Sequence, residues 1–196
     1  MLQQIRPALV MMALFTLLLG LAYPLALTGV FGAIFPAQAG GSLVRDRAGK
    51  VIGSTLIAQG FTKPQYLHPR PSAAGTGYDP LNSGGTNLGP LDPKLTERVK
   101  GDVVSLHREN GSGAIPEDAL TTSASGLDPD ISPANAAFQA QRVATARSIS
   151  RADVQAVIDQ NTQGPFLGFI GQAHVNVLAV NLALDARYTA AQLKTR

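Results

Sequence analysis

The sequence predicts a mixed α/β (α+β) soluble domain behind a single N-terminal transmembrane helix. Three observations carry this. No charged residue stands between Pro7 and Val44, while residues 42–196 hold all 13 acids and 15 of the 16 Lys and Arg. Paired β-rich runs then precede a series of capped, helix-periodic segments. A strongly apolar run closes the domain, as a buried element does.

The apolar stretch Ala8–Phe35 carries side-chain polar groups only at Thr16, Tyr23 and Thr28. About 20 apolar residues cross a bilayer core of about 30 Å, so this stretch spans with room to tilt. A cleaved signal peptide is the alternative, with Arg6 as its positive end and Ala37-Gln38-Ala39 as a small-x-small site. Cleaved signals carry about 7–15 apolar residues, fewer than stand here, so a retained anchor is the expectation. Pro24 inside the run is tolerated as a kink. Ala22/Ala26 and Gly29/Ala33 put small residues four apart, the spacing that lets a second helix approach. Charge leaves orientation open: Arg6 flanks one end, and Arg45, Arg47 and Lys50 flank the other. The organisation expected is a short tail at 1–7, a spanning helix at 8–35 and a soluble domain at 36–196.

Leu43–Gln59 reads as a hairpin turning at Asp46-Arg47-Ala48-Gly49. Residues 60–93 are rich in Gly, Pro, Ser, Asn and Thr and lack periodicity, so they read as a long loop. A loop of roughly 30 residues inside a compact domain is commonly functional. Asp92-Pro93 is a cap followed by a first-turn proline, and Leu95, Val99, Val103 and Leu106 mark one helical face ending at Gly111-Ser112-Gly113. Pro116–Asp130 reads as a second loop. Ser132-Pro133 opens a helix running to Arg147, and Ser150 with Asp153 opens another that Gly164-Pro165 ends. Val175–Leu184, apolar on both faces, reads as a central strand.

Composition excludes several function classes. With no cysteine there is no disulfide framework, zinc–thiolate site or iron–sulfur cluster. A net charge of +3 without a Lys/Arg run argues against nucleic acid. His68, His107 and His174 are isolated, none at metal-ligand spacing, so no metal site is expected. There is no phosphate-loop motif and no nucleophile elbow, and no catalytic residue is assigned. Two polar loops remain. Ser83, Gly84, Gly85 and Asn87 lie in a segment whose backbone amides can cradle an anion, or which simply turns and packs. Ser123, Ser125 and Asp128 lead into a helix start, where they cap the helix or meet a partner.

Taken in order, these segments resemble the KdpC family, the C subunit of the potassium-transporting Kdp complex, a P-type ATPase. The match is carried by Arg6-Pro7-Ala8-Leu9, Gly53-Ser54-x-Leu56-Ile57-x-Gln59-x-Phe61, Arg70-Pro71-Ser72 and Ser83-Gly84-Gly85-Thr86-Asn87-Leu88. It continues through Ser123-Ala124-Ser125-Gly126-Leu127-Asp128-Pro129-x-Ile131-Ser132 and Gln139-x-x-Arg142-Val143-Ala144-x-Ala146-Arg147. Val175-Asn176-Val177-Leu178 with Asn181-Leu182-Ala183-Leu184 completes it. Thr86 and Ala58 depart from the family's usual Ser and Gly.

The resemblance implies a non-catalytic accessory subunit in the bacterial inner membrane, its N-terminus cytoplasmic and its domain outside. Its partners would be a potassium-binding channel-like subunit, an ATP-hydrolysing subunit and a small membrane peptide. ATP, magnesium and potassium would be handled by those partners, with no cofactor on this chain. Two family roles compete: a cap over the potassium entrance, and a catalytic chaperone that raises the ATP affinity of the hydrolysing subunit. The second would give Ser83, Gly84, Gly85, Asn87, Ser123, Ser125, Asp128, Gln139 and Arg142 a nucleotide- or partner-binding role. A domain outside the membrane reaches cytoplasmic ATP only by shifting conformational populations. Asp79, Asp92 and Asp128 are candidates for concentrating cations near an entrance, although the domain's slight positive charge opposes a broad attractive field. The rival class is an anchored envelope binding protein or hydrolase unrelated to ion transport.

Overall fold

A computed structural model describes residues 2–46 and 48–189, so Arg47 of the expected hairpin turn and the last seven residues of the expected soluble domain lie outside the described residues. The chain divides into two compact units, 1–52 and 53–196.

The first unit is dominated by one apolar helical run, Ile5–Ile34, of 30 residues, long enough to cross a membrane. It comprises α1 (Ile5–Leu17), a π-type turn (Leu18–Ala22) and α2 (Tyr23–Ile34). The widened turn has a local cause. Pro24 brings no N–H for the carbonyl of Gly20, and its ring crowds that carbonyl. Widening the preceding turn relieves the clash, and the Tyr23 amide bonds back to the Leu18 carbonyl. The expected proline kink is thus taken up as a π-type turn. A short helix α3 (Pro36–Ala39) follows. Strands β1 (Leu43–Arg45) and β2 (Val51–Ser54) pair as a two-stranded sheet. The hairpin is shorter than expected, because at Ser54 the chain turns and the Ile57 amide bonds back to the Ser54 carbonyl. Asp46 fixes the turn by accepting from the Ala48 and Lys50 amides, an Asx-type arrangement.

In the second unit, residues 55–92 form no helix or strand, as their Gly/Pro composition predicts. Helix α4 (Pro93–Asn110) starts where the sequence places it: the Asp92 carboxylate accepts from the Lys94 amide at 2.9 Å. Its apolar stripe Leu95, Val99, Val103 and Leu106 is half-buried. The segment expected to be loop from Pro116 to Asp130 contains a one-turn helix α4-to-sheet connector, α5 (Glu117–Leu120). Its Asp118 carboxylate accepts from the Ser132 amide, the Ser132 hydroxyl and the Asn135 side-chain Nδ2. Helix α6 (Pro133–Arg147) is capped by Ser132, and α7 (Arg151–Gln160) by Ser150, which accepts from the Asp153 amide. Such caps are each worth about 1 kcal/mol. Helix α7 ends at Gln160, before Gly164-Pro165, because Thr162–Gln163 leaves to form strand β4.

The main correction lies at Val175–Leu184. Only His174–Asn176 is strand, β5, and Val177–Leu184 is helix α8. Asn176 makes the switch: its side chain accepts from the Ala179 amide and caps the helix. An apolar run this short has no period that separates a buried strand from a buried helix. Strand β5 is the centre of a three-stranded antiparallel sheet ordered β3-β5-β4, where β3 is Asp130–Ile131. The registers are Ile131↔Val175 and Thr162↔Val175. Helices α6, α7 and α8 cover it, burying Ala136, Ala140, Val143, Val154, Ile158, Val180 and Leu184 with Leu67 of the long loop.

Candidate functional site

The long loop is tied to the helices by polar side chains. Gln139, buried on α6, accepts at Oε1 from the His68 amide at 2.8 Å and from Arg142 Nη2 at 2.6 Å. Its Nε2 donates to the His68 carbonyl and to Asn135 Oδ1. Arg142, one turn on, donates from Nε to Asn110 of α4 and from Nη1 to the Pro64 and Tyr66 carbonyls. Asn181 on α8 brackets the Leu67 backbone. Arg147, 7% exposed, donates to the Gln65 carbonyl and pairs with Asp185 at 2.7 Å, its guanidinium lying over the Tyr66 ring. Residues 64–68 are therefore a strap clamped from α6 and α8.

His68 sits in the clamp. Its Nε2 is 3.3 Å from Arg142 Nη1 and 3.2 Å from the Lys63 carbonyl, and its Nδ1 is 3.8 Å from Glu109. Burial, then the Arg142 charge, pushes its pKa below the ordinary 6.5, with Lys63 and Glu109 opposing. Burial also lowers the Arg142 pKa. Tyr66 is raised, chiefly by burial and by its hydrogen bond to Asp185.

A second polar knot joins the two Ser/Gly loops. The Gly84 amide and the Ser83 hydroxyl both donate to the Ser125 carbonyl, each at 2.9 Å. Gly85 lies so close that a Cβ there would stand 3.2 Å from the Ala124 carbonyl oxygen. Ser72 donates to the Gly126 carbonyl at 2.6 Å and accepts from the Ala74 and Tyr78 amides. Asp128 pairs with Arg70 at 3.0 Å and accepts from the Asp130 amide. Arg70 also reaches Thr121 and the Thr122 carbonyl. Ser123 lies beside Ser125, their hydroxyls 3.4 Å apart. Asn87 stands exposed with φ +54, a conformation asparagine tolerates.

The sequence-predicted residues thus fall into two groups. Ser83, Gly84, Gly85, Ser123, Ser125 and Asp128 come together in the knot; Gln139 and Arg142 belong to the strap clamp; Asn87 joins neither. The Gly84 amide, which an anion cradle would use, is spent on Ser125. Of the three carboxylates considered for cation steering, Asp92 caps α4, Asp128 holds Arg70 and Asp79 accepts from Asn82 and the Leu81 amide. The Asn82 hydrogen bond, with the Leu81 amide, holds the Asp79 carboxyl below its usual range. Among the described residues no group of three or more His, Asp or Glu converges as a metal site. Sequence reasoning assigned no role to Asp118, Asn135, Arg147 or Asn181. For Asn135, Arg147 and Asn181 the signal is a polar residue inside an otherwise buried helical face.

Fold and site define a class: an α+β domain with cross-tied long polar loops, preceded in the chain by one helix long and apolar enough to cross a membrane. Comparison narrows it. A profile of the KdpC family, described as "K+-transporting ATPase, c chain", matches residues 5–186. A "Potassium-transporting ATPase KdpC subunit" of Caulobacter sp. (strain K31) is 65% identical over 190 residues, 97% of each chain. The same-named protein of Beijerinckia indica is 55% identical, covering 96% of each chain. That of Bradyrhizobium diazoefficiens is 51% identical, covering 94% of this chain and 98% of its own. The chain belongs to the KdpC family.

Proposed function

We propose that this chain is a non-catalytic accessory subunit of an ATP-driven potassium uptake complex, held by its N-terminal helix with residues 36–196 outside the cytoplasmic membrane. The observation that carries this reading is the family match from residue 5 to residue 186, which takes in the spanning helix and almost all of the extramembrane fold. The partners are the potassium-binding and ATP-hydrolysing subunits and the small membrane peptide, which handle potassium, ATP and magnesium.

Between the two roles, capping the potassium entrance fits better than direct nucleotide handling. The polar atoms of Gln139 and Arg142 are spent on the strap, and Ser83, Gly84 and Ser125 are spent on one another. A nucleotide site would have to break those bonds, and around the buried Gln139 and Asn135 side chains that leaves buried groups unpaired. Any effect on ATP affinity then passes through the conformation of the complex.

Two measurements test the reading. Potassium-stimulated ATPase is assayed on the complex purified with and without this chain; activity unchanged by its removal overturns the accessory role. The natural absence of cysteine makes a single Ser112→Cys variant a clean topology probe. Labelling by a membrane-impermeant maleimide in intact spheroplasts is the expected result, and labelling only after lysis places the domain inside.

A further inference from the structure

The connection between β4 and β5 carries an exposed apolar tip. Phe166 and Ile170 form an antiparallel bridge, with amide-to-carbonyl bonds of 2.8 and 2.9 Å in both directions. The Gly168 amide closes the turn on the Pro165 carbonyl at 3.0 Å. Phe166, Leu167, Phe169 and Ile170 are 70%, 71%, 77% and 50% exposed. Leu167 has φ +54, in the left-handed region that a bulky side chain rarely adopts. Strain of this kind, of order 1–3 kcal/mol, persists where surrounding structure imposes it and clusters at sites of function. Between Asp159 and Asp185 the only titratable side chain is His174.

We propose that the Phe166–Ile170 tip is a docking knob that inserts into an uncharged apolar pocket on an extramembrane face of another subunit of the potassium-transporting ATPase. This rests on the accessory-subunit reading. Charge and shape both favour a protein pocket. The tip offers no Asp, Glu, Lys or Arg, so its partner surface needs no countercharge. Apolar contacts with depleted charge are what the buried centre of a protein interface contains. Helices that cross or lie in the bilayer boundary carry Trp, Tyr, Lys or Arg there, and residues 160–173 contain none of these. A bilayer makes no demand on shape, whereas this turn fixes the directions of four side chains at the cost of a strained leucine. The base of the knob is rigid: β5 is the central strand, with Val175 fully buried. Preorganisation of this kind lowers the entropy lost on binding.

The test uses the full-length tagged chain in its own membranes. A Leu167→Gly/Phe169→Ser variant removes two exposed side chains, and glycine relaxes the backbone at residue 167. The isolated variant is therefore expected to melt within about 2 °C of the unaltered chain, since exposed substitutions shift stability little. Recovery of the potassium-binding and ATP-hydrolysing subunits is expected to drop at least tenfold. Full recovery of both overturns the knob. Independently of folding, a benzophenone side chain at position 169 is photolysed in intact membranes. An adduct identified by mass spectrometry as another Kdp subunit supports the proposal; a lipid adduct, an unrelated protein or no adduct overturns it. Should the unaltered chain itself recover neither subunit, the accessory reading fails, and the knob with it.

Discussion

The Asn181 carboxamide closes a two-bond ring on the Leu67 backbone, accepting from its N–H at 2.8 Å and donating to its carbonyl at 3.0 Å. Both residues are almost wholly buried. Asn181 therefore does what a neighbouring strand would do for the strap. Replacing it by alanine leaves a buried donor and a buried acceptor unpaired, each costing about 1–3 kcal/mol. Asn181→Ala is expected to destabilise the domain by about 3 kcal/mol, read as a fall of about 10 °C in Tm. A change below 2 °C would mean that the strap is held elsewhere.

Arg142→Lys separates a clamp from a nucleotide ligand. Lysine keeps the charge but cannot serve Asn110, the Pro64 and Tyr66 carbonyls and Gln139 together, because that takes the guanidinium fork. The expected outcome is a loss of about 2 kcal/mol in thermal stability. The complex assembled at low temperature should keep its KM for ATP within about twofold. A large rise in that KM without loss of Tm would instead make Arg142 a nucleotide contact.

The three longer helices of the domain were legible because their starts are written locally. Asp92-Pro93, Ser132-Pro133 and Ser150 with Asp153 each place an acceptor beside the amides it caps. The run 174–184 was not, since only the side chain of Asn176 decides where strand becomes helix. The strap was not legible either. Gln139 meets His68 across 71 residues and Asn181 meets Leu67 across 114, and such pairings leave no local pattern. Ser83 and Ser125 were singled out as members of two separate polar loops, but only the fold reveals that they bond to each other.

His68 makes stability depend on pH. Its folded-state pKa lies below its ordinary 6.5, owing first to burial and then to Arg142. The unfolded chain therefore binds the proton more readily, and stability falls as pH drops from about 7 through the lowered folded value. Protonation also places a positive charge on a ring whose Nε2 is 3.3 Å from Arg142 Nη1. Tm is expected to decline between pH 7.5 and 5 and to decline less steeply in His68→Gln. Equal slopes would remove His68 as the source.

Gly126 and Gly101 should respond to alanine in opposite directions, which tests how tightly the Ser/Gly knot is built. Gly126 has φ +66, and a Cβ there would stand 2.7 Å from the Ala74 nitrogen and from the Gly84 carbonyl oxygen. Both neighbours are backbone, so neither can swing away. Ser72, Ser83 and Gly84 hold the same three segments together through their own hydrogen bonds. Gly126→Ala is expected to cost about 3 kcal/mol or more, from left-handed strain plus displacement of the knot. Gly101 sits within α4 with nothing inside 4 Å of a Cβ, so Gly101→Ala is expected to gain about 0.5–1 kcal/mol. Urea melts of the two variants decide the matter. Equal midpoints would mean that segments 72–78, 83–85 and 123–126 can part without cost, leaving the Gly84 amide free for a ligand.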